Sequence, residues 1–363
     1  MYKTIFISFL LLSCTEVKDT DYDIYISNLS IMEHKSQSIA IASSININRV
    51  LQNSDFIIIA DFRELKLYLI SNDGEILDST GREGNGPGEF LAINSIRFTD
   101  KNNEILILDS KLNRLTHYEI TNNMLELKDE SEIQSYQSQL FLKDIYHFND
   151  TYYGLFKSNI NIEPDAEYEK LMLYSLDENL TFKNLLLEYK YDELIEMKIR
   201  GNDYFVEHPF GFNTEWIFDK SQFIISNSKE LKFTYYNLKS GEFNTYEFNG
   251  VPVINNDEGI LEFLEQHYGE ILSFNPNIKQ DLKTRSQLPY FIKFSLYNEK
   301  IVILLSNYDT KSKELVVLNT DNNTIHIINV PVDYFMHGIS DDIIYGVIKD
   351  RVYNLDQIYS IFL

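Results

Sequence analysis

One repeated pattern limits what this chain can fold into. Each unit consists of an apolar, β-branched run, a short polar turn, and further alternating runs separated by turns. Such runs, bounded by turn residues such as Asn-Asp-Gly or Lys-Ser-Gly, are typical of strands in antiparallel meanders. The units occupy residues 55–77, 103–127, 151–187, 222–248, 300–330 and 342–355. The sequence therefore predicts an all-β chain built from six similar units.

The spacing of the units indicates the fold. Asp61 and Asp109 end the apolar run of the first two units, 48 residues apart. A period of about 45–50 residues with three or four strands is typical of a propeller blade. We therefore predict a six-bladed β-propeller of four-stranded antiparallel blades over residues 37–363. Both aspartates are expected to cap the turn after their strand by accepting hydrogen bonds from backbone amides.

Ring closure is a second requirement, since an open array of blades would leave strand edges unpaired. The last unit is short at its carboxyl end. We therefore expect an N-terminal strand, near residues 38–47, to pair into the sixth blade. The alternative is a seven-bladed ring in which residues 255–287 form a degenerate blade, because propellers have roughly 4 to 8 blades.

Two insertions interrupt the repeat, at residues 188–214 and 255–287. The second is expected to contain a short helix near residues 257–272, because its apolar residues recur at helical spacing. Aromatic residues crowd the end of the first insertion, and aromatic faces beside polar groups suit sugar rings or peptide side chains. The candidate ligand-binding residues, in the aromatic stretch at residues 202–216, are Tyr204, His208, Phe210, Phe212 and Trp216. The competing interpretation is a loop that packs over the seam between the third and fourth blades.

The amino terminus has the features of an export signal. Lys3 precedes an apolar stretch at residues 4–12 that is too short to span a bilayer, and Ser13 stands directly before Cys14. This segment resembles a bacterial lipoprotein signal peptide, which would comprise residues 1–13. The resemblance implies acylation of Cys14 and an outer-membrane lipoprotein that faces the periplasm or the cell surface. The alternative interpretation of this first segment is a signal-like buried strand with a chance cysteine. If the segment is a signal peptide, residues 14–36 are expected to form an acidic tether.

The charge balance limits the partners. With 32 Lys and Arg against 55 Asp and Glu, the formal net charge is −23. This excludes nucleic acid, because phosphate contacts need cationic side chains. Contact with the lipid bilayer is therefore expected only through the acylated Cys14. A single cysteine also excludes disulfides within the chain and CxxC metal or redox motifs.

A glycine-rich decapeptide, GREGNGPGEF at residues 81–90, lies between the first and second units. With the preceding Asp61 and the Gly74 turn, it resembles a family of six-bladed β-propeller lipoproteins of Bacteroidetes, related to the NHL and TolB-like propellers. The resemblance implies an exported, lipid-anchored propeller and supplies no reaction or ligand. From its residues the decapeptide is interpreted as a crossing between blades, with an anion site as the alternative. Arg82 and Glu89 are candidates either for ligand contact at the channel mouth or for an ion pair with each other.

Known catalytic motifs do not occur in the sequence, which lacks HExxH, GxSxG and EF-hand patterns. We therefore predict a non-catalytic binding module of the cell envelope for a protein or glycan ligand. No cofactor and no metal-ligating residue is predicted, and calcium in the central channel is the alternative. The alternative function is a hydrolase or lyase with an acid/base or metal site assembled in the channel from several blades.

Overall fold

A computed structural model describes most of the chain. The described residues are 20–25, 28–31, 35–41, 45–133, 140–158, 169–191, 193–199, 202–208, 210–249, 262, 265, 269, 273, 276–284, 287–297, 300–306, 313–319, 324–331, 333–340, 343–350 and 355–362. The predicted signal peptide and Cys14 lie outside them.

The first half of the chain forms three separate strands and then three blades. The separate strands are β1 (Thr20–Tyr25), β2 (Asn28–Ile31) and β3 (Lys35–Ala40). Blade 1 contains β4 (Arg49–Gln52), β5 (Phe56–Asp61), β6 (Lys66–Ser71) and β7 (Ile76–Thr80). Blade 2 contains β8 (Ser95–Phe98), β9 (Glu104–Asp109), β10 (Arg114–Thr121) and β11 (Met124–Glu132). Blade 3 contains β12 (Leu140–Phe148), β13 (Thr151–Ser158), β14 (Lys170–Leu176) and β15 (Phe182–Lys190).

The second half begins with a hairpin of β16 (Leu194–Ile199) and β17 (Asn202–Glu207). Blade 4 contains β18 (Thr214–Asp219), β19 (Gln222–Asn227), β20 (Lys232–Asn237) and β21 (Phe243–Asn249). Helix α1 (Pro276–Thr284) precedes blade 5. Blade 5 contains β22 (Phe291–Tyr297), β23 (Lys300–Leu305), β24 (Lys313–Asn319) and β25 (Thr324–Val330). Blade 6 contains β26 (Tyr334–Ser340), β27 (Ile343–Asp350), β28 (Leu355–Phe362) and the distant strand β3.

These sheets form a closed ring of six antiparallel blades. The first strands of successive blades contact one another, as β4 does with both β8 and β26. The prediction of a six-bladed propeller is therefore confirmed and the seven-bladed alternative is wrong. In the stretch predicted as a seventh blade, described residues 262, 265, 269 and 273 are helical, and α1 follows them. The helical insertion predicted near residues 257–272 is confirmed at its described positions.

An N-terminal strand closes the ring, as predicted. Strand β3 pairs antiparallel with β28, with Ile39 opposite Ile358. It covers residues 35–40 rather than 38–47, because residues 45–47 already lead into blade 1. Ile39 joins Ile45 and Ile47 in the core between blades 6 and 1. The first and last parts of the chain are thus held together by both hydrogen bonds and apolar burial.

Two further N-terminal strands extend the ring's outer edge. Strand β1 pairs parallel with β21 of blade 4, and β2 pairs parallel with β25 of blade 5. Those blades therefore have five strands, whereas the other four have four. Both strands lie within residues 14–36, the range predicted as a tether, so part of that range covers the outer edges of two blades.

Six apolar clusters lie in the six interfaces between neighbouring blades of the described structure. Strand β5 shows why each second strand is continuously apolar. Ile57 and Ile59 pack toward blade 6, while Ile58 packs toward blade 2. Because both faces of the sheet are covered, the strand has no need of alternating polar residues. Each fully buried Ile contributes about 2–3 kcal/mol of hydrophobic free energy.

Two fully buried aspartates cap turns after the second strands, as predicted. Asp61 Oδ1 accepts hydrogen bonds from the backbone amides of Arg63 and Glu64 at 2.9 and 3.0 Å. Its Oδ2 accepts from the amide of Asn46 at 2.9 Å, on the segment that enters blade 1. Asp109 does the same in blade 2 with one more donor. These carboxylates therefore link a turn to the chain entering the same blade.

Candidate functional site

A cavity of about 500 Å³ lies at the centre of the ring. Its wall includes residues from the first strand of every blade. The turns between first and second strands also line it, through Asp100, Asn102 and Lys220. The cavity therefore reaches the face of the ring on which these turns lie. Cavities of this size with a few converging polar groups are typical of small-ligand sites.

One charged or ionisable residue stands at an equivalent place on each first strand. In blades 1 to 5 it lies seven residues before the start of the second strand, and in blade 6 six residues before. These residues, which we call the channel layer, are Arg49, Arg97, Asp144, Glu215, Lys293 and His337. Because the blades are repeats, equivalent positions lie at similar depth, so the six side chains form a layer around the axis.

Three of the first strands are irregular at this layer. The pairing register shifts between Leu142 and Asp144 in β12, between Phe291 and Lys293 in β22, and between Met336 and Gly338 in β26. A β-bulge inserts one residue, bends the strand and redirects a side chain. Bulges at the same depth in three blades therefore orient Asp144, Lys293 and His337.

One part of the layer is a satisfied buried ion pair. Arg97 Nε donates to Asp144 Oδ2 at 2.7 Å, its Nη2 donates to the same oxygen, and Trp216 Nε1 donates there at 2.9 Å. The Arg97 guanidinium also lies 5.3 Å from the centre of the Phe218 ring. Burial alone would raise the pKa of Asp144, but Arg97 and then Trp216 outweigh burial and hold that pKa below its usual range. Asp144 is therefore the anchor of a rigid charged wall.

The other charged members of the layer are less balanced. Burial, and after it Arg49, lowers the pKa of the Lys293 ammonium to about 7. Burial also lowers the pKa of Arg49, with Arg97 adding to the effect. Burial raises the pKa of the Glu215 carboxyl, although Lys293 and Arg49 oppose the rise. Burial thus favours the neutral form of these three side chains, and their location in the channel has a cost in free energy.

His337 completes the layer as a neutral donor. Its Nδ1 accepts a hydrogen bond from the backbone amide of Val50 at 3.1 Å. Burial, followed by Lys293 and Arg49, lowers the pKa of His337 well below its usual value. The neutral ring therefore carries its proton on Nε2. Tyr345, from the second strand of blade 6, adds a hydroxyl to the cavity wall.

Arg82 and Glu89 interact with each other. Arg82 Nε donates to Glu89 Oε1 at 2.7 Å, and the amide of Gly86 donates to Oε2 at 2.7 Å. Gly86, and after it Arg82, lowers the pKa of Glu89. Gly84 has a positive φ that residues with a side chain rarely adopt, and a Cβ there would also collide with the Glu89 side chain. Neither charged residue lines the central cavity.

The predicted residues of the first insertion contact the second insertion and their own loop. His208 is buried, and its Nε2 lies 3.2 Å from Asp281 Oδ2 of α1. Its Nδ1 accepts from the amide of Phe210 at 3.1 Å, while the amide of Phe212 donates to Glu193 Oε2 at 3.0 Å. The two insertions therefore meet on one face of the ring. Both join an outer strand to the next first strand, so that face is opposite the turns that line the cavity.

Of the predicted site residues, Trp216 lines the cavity, and its indole Nε1 donates a hydrogen bond to Asp144 Oδ2. Tyr204 pairs through its backbone with Met197 in the β16–β17 hairpin, and its side chain lies outside the described part of the structure. The structure thus divides the predicted site residues into three places. Arg82 and Glu89 form an ion pair in the glycine-rich loop, the residues from Tyr204 to Phe212 belong to the insertion, and Trp216 lines the cavity.

Sequence reasoning missed all six residues of the channel layer. The available signal was that a charged or ionisable residue stands at a nearly constant distance before the second strand of every blade. That distance is visible only once the second strands are aligned with one another, because the first strands share little sequence. Among the described residues, no group of three or more His, Cys, Asp or Glu side chains could hold a metal ion. No helix in that part of the chain is long and apolar enough to cross a membrane.

Comparisons with known proteins agree with this architecture. A family model described as a 6-bladed beta-propeller, DUF5128, matches residues 42–261. A solved structure named as that of an exported protein from Bacteroides fragilis matches with a TM-score of 0.55 and 14% identity, covering 94% of this chain and 99% of that one. A member of the DUF4221 family from Bacteroides vulgatus matches with a TM-score of 0.52 and 12% identity, covering 91% and 98%. At such identities the likeness concerns the fold alone. No curated protein matches the sequence.

Proposed function

We propose that this chain, which belongs to the DUF5128 family of six-bladed β-propellers, is a non-catalytic binding module of the cell envelope. Its ligand is a protein or glycan group that enters the central cavity. The observation that carries this proposal is the channel layer. Ionisable side chains are held inside the ring, where apolar residues would pack at a lower free-energy cost. Proteins depart from such packing rules mainly at functional sites.

The envelope location rests on two further observations. Residues 1–14 resemble a lipoprotein signal, and one solved protein of similar fold is named as exported. In a bacterial host that acylates lipoproteins, we expect the chain to incorporate an alkyne-labelled fatty acid. Cys14→Ser should abolish that labelling, while Ser13→Ala, which keeps a small residue before the cysteine, should retain it. Equal labelling of the Cys14→Ser variant would rule out this anchor.

Blocking the cavity mouth tests the binding function. Asn102 is exposed on a turn that lines the cavity, so Asn102→Trp should obstruct entry without disturbing the core. Asn179 is an exposed residue on the same face, at the rim between β14 and β15, and Asn179→Trp is the matched control. On arrays of neutral and acidic glycans and peptides, we expect wild type and Asn179→Trp to bind the same members. The affinity of Asn102→Trp for those array members should be at least about tenfold lower, a loss of roughly 1.4 kcal/mol of binding free energy. Equal binding by all three proteins would remove the cavity as the site.

The second candidate function is a hydrolase or lyase, favoured by one observation. The pKa of Lys293 is lowered and that of Glu215 is raised, each by burial first. Groups shifted in this way are suited to proton transfer near neutral pH. Incubating the purified protein with the bound array members, with lactones and with added calcium distinguishes the two functions. Turnover that Glu215→Gln abolishes would favour the enzyme, and binding without turnover would favour the module.

A further inference from the structure

The two cations Arg49 and Lys293 are the starting point. Among the described residues, Arg97 forms an ion pair with Asp144, whereas neither Arg49 nor Lys293 has a carboxylate oxygen within 4.0 Å. Both line the cavity and both feel Glu215 only as a more distant charge. Cations held in a partly enclosed site without a contacting carboxylate repel each other, and this repulsion by Arg49 adds to burial, the larger cause, in lowering the pKa of Lys293. An anion between them would relieve that repulsion.

Neutral donors stand beside these cations. His337 Nε2 carries its proton, because Nδ1 accepts from the Val50 amide. The hydroxyl of Tyr345 belongs to the same wall. A carboxylate accepts hydrogen bonds and offers about four lone-pair sites. The wall thus supplies two charged donors and two neutral donors for one acceptor group.

The outer part of the cavity has a different chemistry. Asp100 and Asp219 line it near the mouth, where they can accept hydrogen bonds from hydroxyl groups. Half-buried Phe98 and Trp216 present aromatic surface between the mouth and the channel layer. Aromatic faces beside carboxylates suit the ring and hydroxyls of a sugar. The inner part of the cavity is therefore cationic and its mouth is acidic and aromatic. This arrangement matches a molecule with one anionic end and a hydroxylated ring.

We infer that the cavity binds the carboxylate of an acidic sugar between Arg49 and Lys293, with the sugar ring against Trp216 and its hydroxyls toward Asp219. This inference rests on the proposed binding function and names the ligand class. A carboxylate fits better than a phosphate because of the local charge. The charges of Arg97 and Asp144 cancel each other. The charge of Glu215 offsets one of the two remaining cations, Arg49 and Lys293, so one net positive charge is left for a monoanion.

Binding should depend on pH through Lys293. The charged and titratable groups that face it from the other first strands are Arg49, Arg97, Asp144, Glu215 and His337. The anion requires a protonated Lys293, and that charge is lost as the pH rises through the lowered pKa of about 7. Affinity for the carboxylate is therefore expected to fall between about pH 6 and pH 9, whereas an ordinary lysine would keep its charge over that range.

The test is calorimetric titration of the full chain with glucuronate, glucose and inorganic phosphate at about pH 6, where lysine and arginine side chains are usually charged. We expect glucuronate to bind and glucose to bind at least about tenfold more weakly, since a charged hydrogen bond is lost. Lys293→Met and Arg49→Met should each weaken glucuronate about 10- to 100-fold. Arg63→Met, which removes one charge from an exposed residue outside the cavity, should bind like wild type.

Three results would overturn the inference. Phosphate binding tighter than glucuronate would assign a phosphoryl group instead. Glucuronate binding unchanged in Lys293→Met would place the anion elsewhere. If glucuronate does not bind, while Asn102→Trp still abolishes binding of an array ligand, the cavity remains the site of the binding module and only the assignment of an acidic sugar is wrong. In the described part of the chain, Lys293 has no carboxylate within 4.0 Å, and burying a charge without such a partner costs free energy. Lys293→Met should therefore unfold no earlier than wild type, and its thermal midpoint verifies that lost binding is local.

Discussion

Asp109→Ala is expected to destabilise the propeller by about 3–5 kcal/mol, one of the larger effects that a single substitution produces. Asp109 is fully buried, and its Oδ2 accepts from the amides of Leu91 and Ala92 at 2.7 and 3.1 Å. Its Oδ1 accepts from the amides of Lys111 and Leu112 at 2.9 and 3.0 Å. Alanine would leave four backbone donors without their acceptor, and it would free the glycine-rich crossing from blade 2.

Urea denaturation followed by circular dichroism measures this effect, with Asp61→Ala as a graded comparison. Asp61 accepts from three backbone amides rather than four, so its loss should be somewhat smaller. Asp129 is 58% exposed at its side chain, and Asp129→Ala should change the free energy of unfolding by less than about 0.5 kcal/mol. A loss below about 1 kcal/mol for Asp109→Ala would mean that water replaces the carboxylate, because that is the ordinary scale of one hydrogen bond.

The blades could be predicted because their signal is local. Each second strand, such as Phe56–Asp61, is buried on both faces and therefore reads as an unbroken apolar run. The turns that follow are capped by aspartates that recur with the repeat. The closing strand could be predicted from the need for paired edges, but its bounds could not. Ile39, Ile45 and Ile47 are all buried in one core, so burial alone did not show where pairing ended.

Strands β1 and β2 and the channel layer lie beyond local patterns. The sequence of β1, TDYDIY, is as polar as a tether, and its strand form depends on a free edge supplied by blade 4, more than two hundred residues away. The channel layer depends on six strands meeting at one axis and on bulges in three of them. Such bulges shift a side chain by one residue, so the alternation of a first strand does not identify its channel-facing position.

Asp144→Ala is the second substitution with a large expected effect. Asp144 is buried and accepts hydrogen bonds from Arg97 and Trp216 of two other blades. Breaking a buried ion pair from one side leaves an uncompensated charge, which costs about 3–5 kcal/mol. The pKa of Asp144 lies below its usual range in the folded protein. Its stabilisation is therefore complete above the usual carboxyl pKa of about 3.9 and is lost as the pH falls through the lowered pKa.

Two measurements separate this ion pair from simple packing. The free-energy difference between wild type and Asp144→Ala should be constant from about pH 5 to pH 7 and should shrink below about pH 4 as Asp144 becomes protonated. The double variant Arg97→Met/Asp144→Leu removes both charges and fills the space with apolar side chains. It should recover most of the lost stability, because well-packed apolar residues commonly replace a buried pair without net loss. A double variant as unstable as Asp144→Ala would contradict the charge explanation and would assign the loss to the missing acceptor of Trp216.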